Sequence, residues 1–249
     1  VRVIGIDPAP VKGLQVFDGG DHKVALPDSR SFVQRLWEHD DVLICWDAPL
    51  TGPSTTVVQG GEAAGSAFSQ RAIESFFSRA ATGFKTPPGI SVRGYSGCPH
   101  WALSRSLIGL PKTGPFDVAD IPFKLAQDEL PRPTRGRHVA EVHPAVALWL
   151  WCRNARDGAD SWDYKKSPGV LMELWSLLLD IPDVAQVLAP VRHQPPTSDD
   201  EFDARIAYAL GTLWLRDRDC VVLMGDAGRG MFLVPKSEEL LEAFEAFNP

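Results

Sequence analysis

The sequence predicts an α/β protein, with a central mixed β-sheet flanked by helices and a loop-rich insertion at about residues 51–136. All of residues 1–249 are expected in one domain. Three observations predict this. The chain opens on Val1-Arg2-Val3-Ile4-Gly5-Ile6-Asp7, whose β-branched residues suit a strand buried on both faces. Two strand patterns follow, Leu14–Phe17 and Lys23–Leu26, around the tight turn Gly19-Gly20-Asp21. A helical pattern then leads into a second buried strand, Val42-Leu43-Ile44-Cys45-Trp46-Asp47. A helix crossover makes that fourth strand parallel to the first, which brings Asp7 and Asp47 to the same sheet edge.

Each element has a local cause. Pro8 and Pro10 are expected to end the first strand at Asp7, because proline donates nothing to a ladder. Asp28 or Ser29 can cap the helix over Phe32, Val33, Leu36 and Trp37. Within the insertion only Ser66–Phe77 has a helical pattern. His138–Val142 resumes the sheet with Glu141 inside an apolar strand, and Pro144 starts a helix to Cys152. The cluster Leu148-Trp149-Leu150-Trp151 reads as core rather than as an aromatic platform for bases. Lys165 and Lys166 precede a helix over Val170–Leu179, and a long helix runs from Ser198 to about Leu215. A late strand pair, Cys220–Met224 and Met231–Val234, and an amphipathic helix over Ser237–Phe247 close the chain.

Composition narrows the function. Apolar residues make up 44% and charged residues 23%, ordinary values for a globular protein. No apolar run approaches the ~20 residues that span a bilayer, and no signal peptide is visible, so a cytoplasmic protein without membrane contact is expected. A net charge of −7 argues against generic polyanion binding and leaves any nucleic-acid contact to a local basic patch. Cys45, Cys98, Cys152 and Cys220 have no zinc-like spacing. There is no phosphate-binding P-loop and no nucleophile elbow. The glycine-rich Gly225–Gly230 lies between two strands and reads as a hairpin loop.

Four acids recur where apolar elements end or begin: Asp7, Asp47, Glu141 and Asp203. Alone, Asp7 is equally a turn aspartate before proline. Together, carboxylates from separate strands and a helix repel one another unless cations neutralise them. Mg²⁺ or Mn²⁺ prefers such oxygen ligands, and two such ions can activate water for phosphodiester hydrolysis. At the late helix, Ser198 and Glu201 fit a capping box, which makes Asp199 and Asp200 first-turn acids favoured by the helix dipole. Asp203 instead stacks with Ile206, Ala207, Leu210 and Trp214 on the apolar stripe. A carboxylate there needs a partner, either a buried arginine or a metal shared with Asp7. Asp200 is a secondary ligand candidate. His143 can face the same site, orient Glu141, or serve as a structural hydrogen-bonding residue. Of the insertion's basic residues, Lys85, Arg93, Arg132 and Arg135 are expected to line the approach to the acids and contact phosphates; a solvated surface is the alternative reading.

The order of elements, with an acid on the first strand, another after the fourth and one on a late helix, resembles the ribonuclease-H-like fold. More narrowly, Gly5-Ile6-Asp7, Asp47-Ala48-Pro49-Leu50, Glu141-Val142-His143-Pro144 and Asp200-Glu201-Phe202-Asp203-Ala204 resemble domain-of-unknown-function family 429, described as predicted RNase-H-like nucleases. Around Gln70-Arg71 the match is loose. The resemblance implies a metal-dependent nuclease related in fold to Holliday-junction resolvases, with Mg²⁺ or Mn²⁺ as cofactor and nucleic acid as substrate. A non-catalytic module of the same fold, binding a nucleotide or a protein, is the second reading. An actin- or sugar-kinase-type phosphotransferase is the third, disfavoured because Pro8 and Pro10 remove backbone donors where that class holds phosphate.

Overall fold

The computed structural model describes residues 1–9, 12–25, 40–50, 71–92, 123–126, 132, 135–159, 161–216, 219–226 and 230–248. Among these residues six strands form the main sheet: β1 (Arg2–Ala9), β2 (Gly13–Phe17), β3 (His22–Ala25), β4 (Val42–Trp46), β5 (Lys124–Leu125) and β6 (Arg137–Glu141). Their order across the sheet is β3-β2-β1-β4-β6-β5. The meander β1-β2-β3 is antiparallel, whereas β1, β4, β6 and β5 run parallel to one another. This mixed sheet, flanked by helices, is consistent with a ribonuclease-H-like α/β fold. The expected cap and helix over residues 28–37 lie outside the described residues, as do Cys98 and Arg93.

Two expectations are revised. First, β1 does not stop at Asp7 but continues through Pro8 to Ala9, paired with β2. Pairing with β4 ends at Ile6 opposite Trp46, so Pro8 has a strand neighbour on one side only, where a missing N–H is tolerated. Second, the stretch 51–136 adds a strand to the sheet in addition to the helix expected there. It contributes α1 (Ala72–Ser78), whose Ile73, Phe76 and Phe77 are fully buried, and the sheet strand β5. Residues 66–70 of the expected helix are outside the described part.

The remaining α-helices among the described residues are α2 (Pro144–Cys152), α3 (Pro168–Leu179), α4 (Pro182–Val187), α5 (Asp199–Arg216) and α6 (Glu238–Glu245). Proline opens α2, α3 and α4, where its missing N–H costs nothing. Short α4 has too few turns to show a periodicity and was not expected. The late hairpin β7 (Val221–Asp226) and β8 (Gly230–Pro235) touches the end of β6 through a parallel bridge from Val142 to Leu233.

Helix α5 is the structural centre. It is buried nearly all round from Asp200 to Trp214, and it packs on β1 closely enough to exclude side chains between them. A Cβ on Gly5 would lie 2.1 Å from the Ala204 carbonyl oxygen, and one on Gly211 would lie 2.1 Å from Cys45 Sγ. These two glycines set the helix-to-sheet distance. They also set its direction: Ala204 sits over Gly5, and Gly211 sits beside Val3 and Cys45. The helix therefore runs antiparallel to β1, with its acidic first turns at the carboxyl ends of the parallel strands. Residues of alternate parity fill separate cores on the two sheet faces. Val3, Leu43, Cys45 and Ala140 belong with α5, whereas Ile4, Ile6, Ile44, Trp46 and Val139 form the opposite cluster. Among the described residues no helix is long and apolar enough to cross a membrane.

Candidate metal centre

Register brings two acids together. Ile6 pairs with Trp46, and the Asp47 amide donates to the Ile6 carbonyl at 2.9 Å, so Asp7 and Asp47 are neighbours at adjacent strand ends. Both lie on the α5 face, since Gly5, two residues before Asp7, contacts that helix. One turn of α5 then delivers Asp203, held near Asp7 by the glycine-permitted approach. Asp7, Asp47 and Asp203 each offer a carboxylate oxygen within 4.8 Å of the others, a group that could hold a metal ion. Carboxylate oxygens are the ligands that Mg²⁺ or Mn²⁺ prefers, so the donor set suits such an ion.

Among the described residues the acids repel one another and Lys165 is the cation that opposes them. Burial and the charges of Asp47 and Asp203 push the Asp7 carboxyl well above the usual carboxylate range. Asp47 is raised by burial, then by Asp203 and Glu141. Burial raises Asp203 too, while Lys165 and Tyr164 pull it back. Among the described residues no donor is hydrogen-bonded to the carboxylates of Asp7 or Asp47.

Asp203 has the partner its position demands, but not the arginine considered from sequence. The Tyr164 hydroxyl donates to Oδ1 at 2.6 Å and the Lys165 ammonium to Oδ2 at 2.7 Å. Asp203 is 1% exposed, whereas the Lys165 side chain is 45% exposed, so the ammonium reaches in from the mouth of the site. The charge of Asp203, then of Asp47 and Asp7, raises the Lys165 pKa further above its ordinary value. Burial and the Asp203 charge raise Tyr164, keeping its hydroxyl a proton donor. Sequence reading passed over both residues. The available signal was a lysine pair just before a helix start, where the dipole disfavours positive charge. A cation placed there needs an acid from elsewhere in the fold.

Glu141 is placed differently from expectation. It pairs in register with Trp46, one residue short of the Asp7–Asp47 level, and so belongs on the face of Ile6 and Trp46. A one-residue offset sends a strand side chain to the other side. There Arg71 grips it with both terminal nitrogens, Nη1 donating to Oε2 at 2.8 Å and Nη2 to Oε1, and the Leu50 amide adds a 2.8 Å bond. Arg71 also pairs with Glu74, whose carboxylate accepts from the Arg71 Nε and backbone amide, both at 2.7 Å. All three side chains are buried. Burial still raises the Glu141 pKa, against the pull of Arg71.

The other expected site residues scatter. Asp200 turns to Lys12 at 2.5 Å, beside Asp199 at 3.6 Å, and reaches Asp7 only through its charge. Ser198 Oγ accepts from the Glu201 amide at 3.1 Å, as a helix cap should, but Glu201 reaches back to the Thr197 amide and hydroxyl. His143 packs on Phe232, and its buried Nδ1 has no hydrogen-bond partner among the described residues. Burial drops its pKa to about 4, so the ring is neutral; Glu74, Lys165 and Arg71 are its charged neighbours.

Arg132 and Arg135 do not line an approach to the acids. Arg135 precedes β6, at the amino end of a strand whose five residues span ~17 Å, opposite the acidic end. Arg132 is buried with its guanidinium 4.4 Å above the Trp214 ring, eleven residues and about 16 Å along α5 from Asp203. Lys85 is exposed and lines a separate cleft by Trp149 and Trp162.

Comparison with curated proteins and with solved structures returned no match. The profile of one family, described as "Protein of unknown function (DUF429)", matches residues 5–228, a span from the strand of Asp7 past the helix of Asp203. The chain therefore belongs to the DUF429 family.

Proposed function

We propose that this protein is a divalent-metal-dependent nuclease that hydrolyses phosphodiester bonds in nucleic acid. The observation that carries the reading is the trio of Asp7, Asp47 and Asp203, drawn from two parallel strands and a helix, with Lys165 as the one cation paired with it among the described residues. These three residues would hold Mg²⁺ or Mn²⁺. Such an ion supplies Lewis-acid polarisation of a phosphoryl oxygen and acidifies a coordinated water. The chain does the rest. Tyr164 fixes the rotamer of Asp203 through a hydrogen bond that a substrate cannot displace, because both groups are buried. Lys165, half exposed at the mouth, can exchange part of its contact with Asp203 for a phosphate oxygen and meet the charge that develops there. The neutral ring of His143 adds no competing positive charge.

Incubating purified protein with single- and double-stranded DNA and RNA, with Mn²⁺ or Mg²⁺, tests the reading. Cleavage by wild type and none by Asp7→Asn is the expected result. An intact panel with both metals removes support for hydrolysis. One observation favours a second reading, a non-catalytic module: Lys165 already gives Asp203 a cation. Failure to bind either metal would select it.

A further inference from the structure

Beyond the acidic centre, the turn after α2 and residues near Lys85 enclose a cleft of about 520 Å³. Its charged lining is Lys85, Arg153, Arg156 and Asp157, with Glu173 and Glu239 lying 3.3 Å from Arg156 and 3.8 Å from Arg153. Trp149 and Trp162 form apolar walls. We infer that this cleft binds the phosphate of a nucleotide, either free or within a single strand, and that Arg156 is the residue that recognises it.

Arg156 carries the argument. Its side chain is only 6% exposed, and burying a guanidinium demands that its donors be used. One Nη2 donor reaches the Ser161 carbonyl at 2.8 Å, and the plane lies 5.0 Å from the Trp162 ring. Nη1 has no hydrogen-bond partner among the described residues. Nε lies 3.3 Å from the Glu173 carboxylate without hydrogen-bond geometry. Arg156 lines the cleft, and a buried guanidinium that leaves two donors unpaired among the described residues is matched by an oxyanion, with phosphate suiting the fork geometry best.

The neighbours extend that match. Arg153 rests 4.8 Å from the Phe84 ring and 5.6 Å from the Trp149 ring, with only a loose 3.8 Å contact to Glu239, so its charge remains available. Lys85 has no ion-pair partner among the described residues. The cleft is of a size that takes small molecules, ~300–1,000 Å³, more than a bare phosphate fills, and its tryptophans suit the remainder of a nucleotide.

Binding here needs no metal and does not rest on the nuclease reading. The loop that follows the cleft does lead to the acids: Trp162 lines the cleft, while Tyr164 and Lys165 hold Asp203. Three residues of chain keep Trp162 and Lys165 within ~11 Å of one another.

The test is a calorimetric titration in EDTA, so that a metal at the acids contributes nothing. The probes are inorganic phosphate, adenosine 5′-monophosphate and a short oligothymidylate, against wild type, Arg156→Gln and the surface double variant Lys85→Gln/Arg153→Gln. We expect saturable nucleotide binding, weakened about tenfold or more by each variant. Tighter binding of the oligonucleotide identifies a strand as the source; equal or tighter binding of the monophosphate identifies a free nucleotide. Should Arg156→Gln fail to fold, the surface variant decides alone. The inference is overturned if no nucleotide probe binds, if only inorganic phosphate does, or if the folded variants bind as wild type does.

Discussion

Two buried carboxylate groups sit one residue apart in register on opposite faces of the sheet, and they solve the same problem differently. At Glu141, two acids share Arg71, and every oxygen of Glu141 accepts at least one hydrogen bond, from the guanidinium or the Leu50 amide. At Asp7, Asp47 and Asp203, three acids share Lys165, and among the described residues the hydrogen bonds go to Asp203 alone. The first group is satisfied from within and holds α1 to the end of β6. The second has a single cation and two acids without a hydrogen-bond donor among the described residues, which is the basis for proposing a bound metal there. Counting acids in a sequence cannot separate these cases; counting donors in the fold can.

The sharpest way to break the comparison is Arg71→Met. It strands two buried carboxylates, and losing one partner of a buried ion pair typically costs ~3–5 kcal/mol. Urea denaturation should show a loss of that size, while Mn²⁺ still binds the protein that remains folded. Gly5→Ala acts on the other centre. Its new methyl group overlaps the α5 backbone, so a destabilisation of about 1–3 kcal/mol or more is expected. Because it shifts Asp203 from Asp7, Mn²⁺ affinity should fall as well. A stable Gly5→Ala protein with wild-type metal affinity would disprove the close-packed assembly of the site.

The pH dependence of the two centres gives a finer contrast. Asp7 and Asp47 have folded pKa values above their unfolded ones, so between ~3.9 and those raised values the folded chain holds more protons. Their contribution to stability is fully present below ~3.9 and is lost as pH rises through the folded values. In EDTA, Asp47→Asn should therefore melt close to wild type near pH 4 and increasingly above it toward pH 8. A gap that shrinks with rising pH would reverse the sign and refute the repulsion. The smallest expected effect is at Asp199, a first-turn acid with a loose 3.6 Å contact to Lys12. Asp199→Asn should cost only a few tenths of a kcal/mol and leave metal affinity unchanged, whereas Asp203→Asn should remove metal binding from a folded protein.

Much of this was legible in the sequence, for identifiable reasons. The buried strands of Asp7 and Asp47 declare themselves by composition, and the crossover rule fixes their relative direction, hence their shared edge. Asp203 was legible because a carboxylate on an apolar helical stripe is anomalous wherever it occurs. Glu141 was misplaced because its face depends on a one-residue register between β4 and β6, which no local pattern encodes. Its partner Arg71 lies 70 positions away, in a stretch of weak periodicity. Lys165 and Tyr164 were missed because what gives them a role is contact across 38 or 39 residues of chain. Arg132 and Arg135 were grouped with the acids by sequence neighbourhood, yet β6 carries the chain the full depth of the sheet between them and the site.

The central proposal is that the trio of Asp7, Asp47 and Asp203, and not the acid already paired with arginine, is the cation site. A Mn²⁺ titration followed by calorimetry, on wild type, Asp47→Asn and Glu141→Gln, each verified as folded by circular dichroism, tests it most directly. Wild type and Glu141→Gln should bind Mn²⁺ with affinities within a few-fold of each other, and Asp47→Asn should lose binding. Equal Mn²⁺ affinity in wild type and Asp47→Asn, or loss of binding in Glu141→Gln alone, would contradict the account.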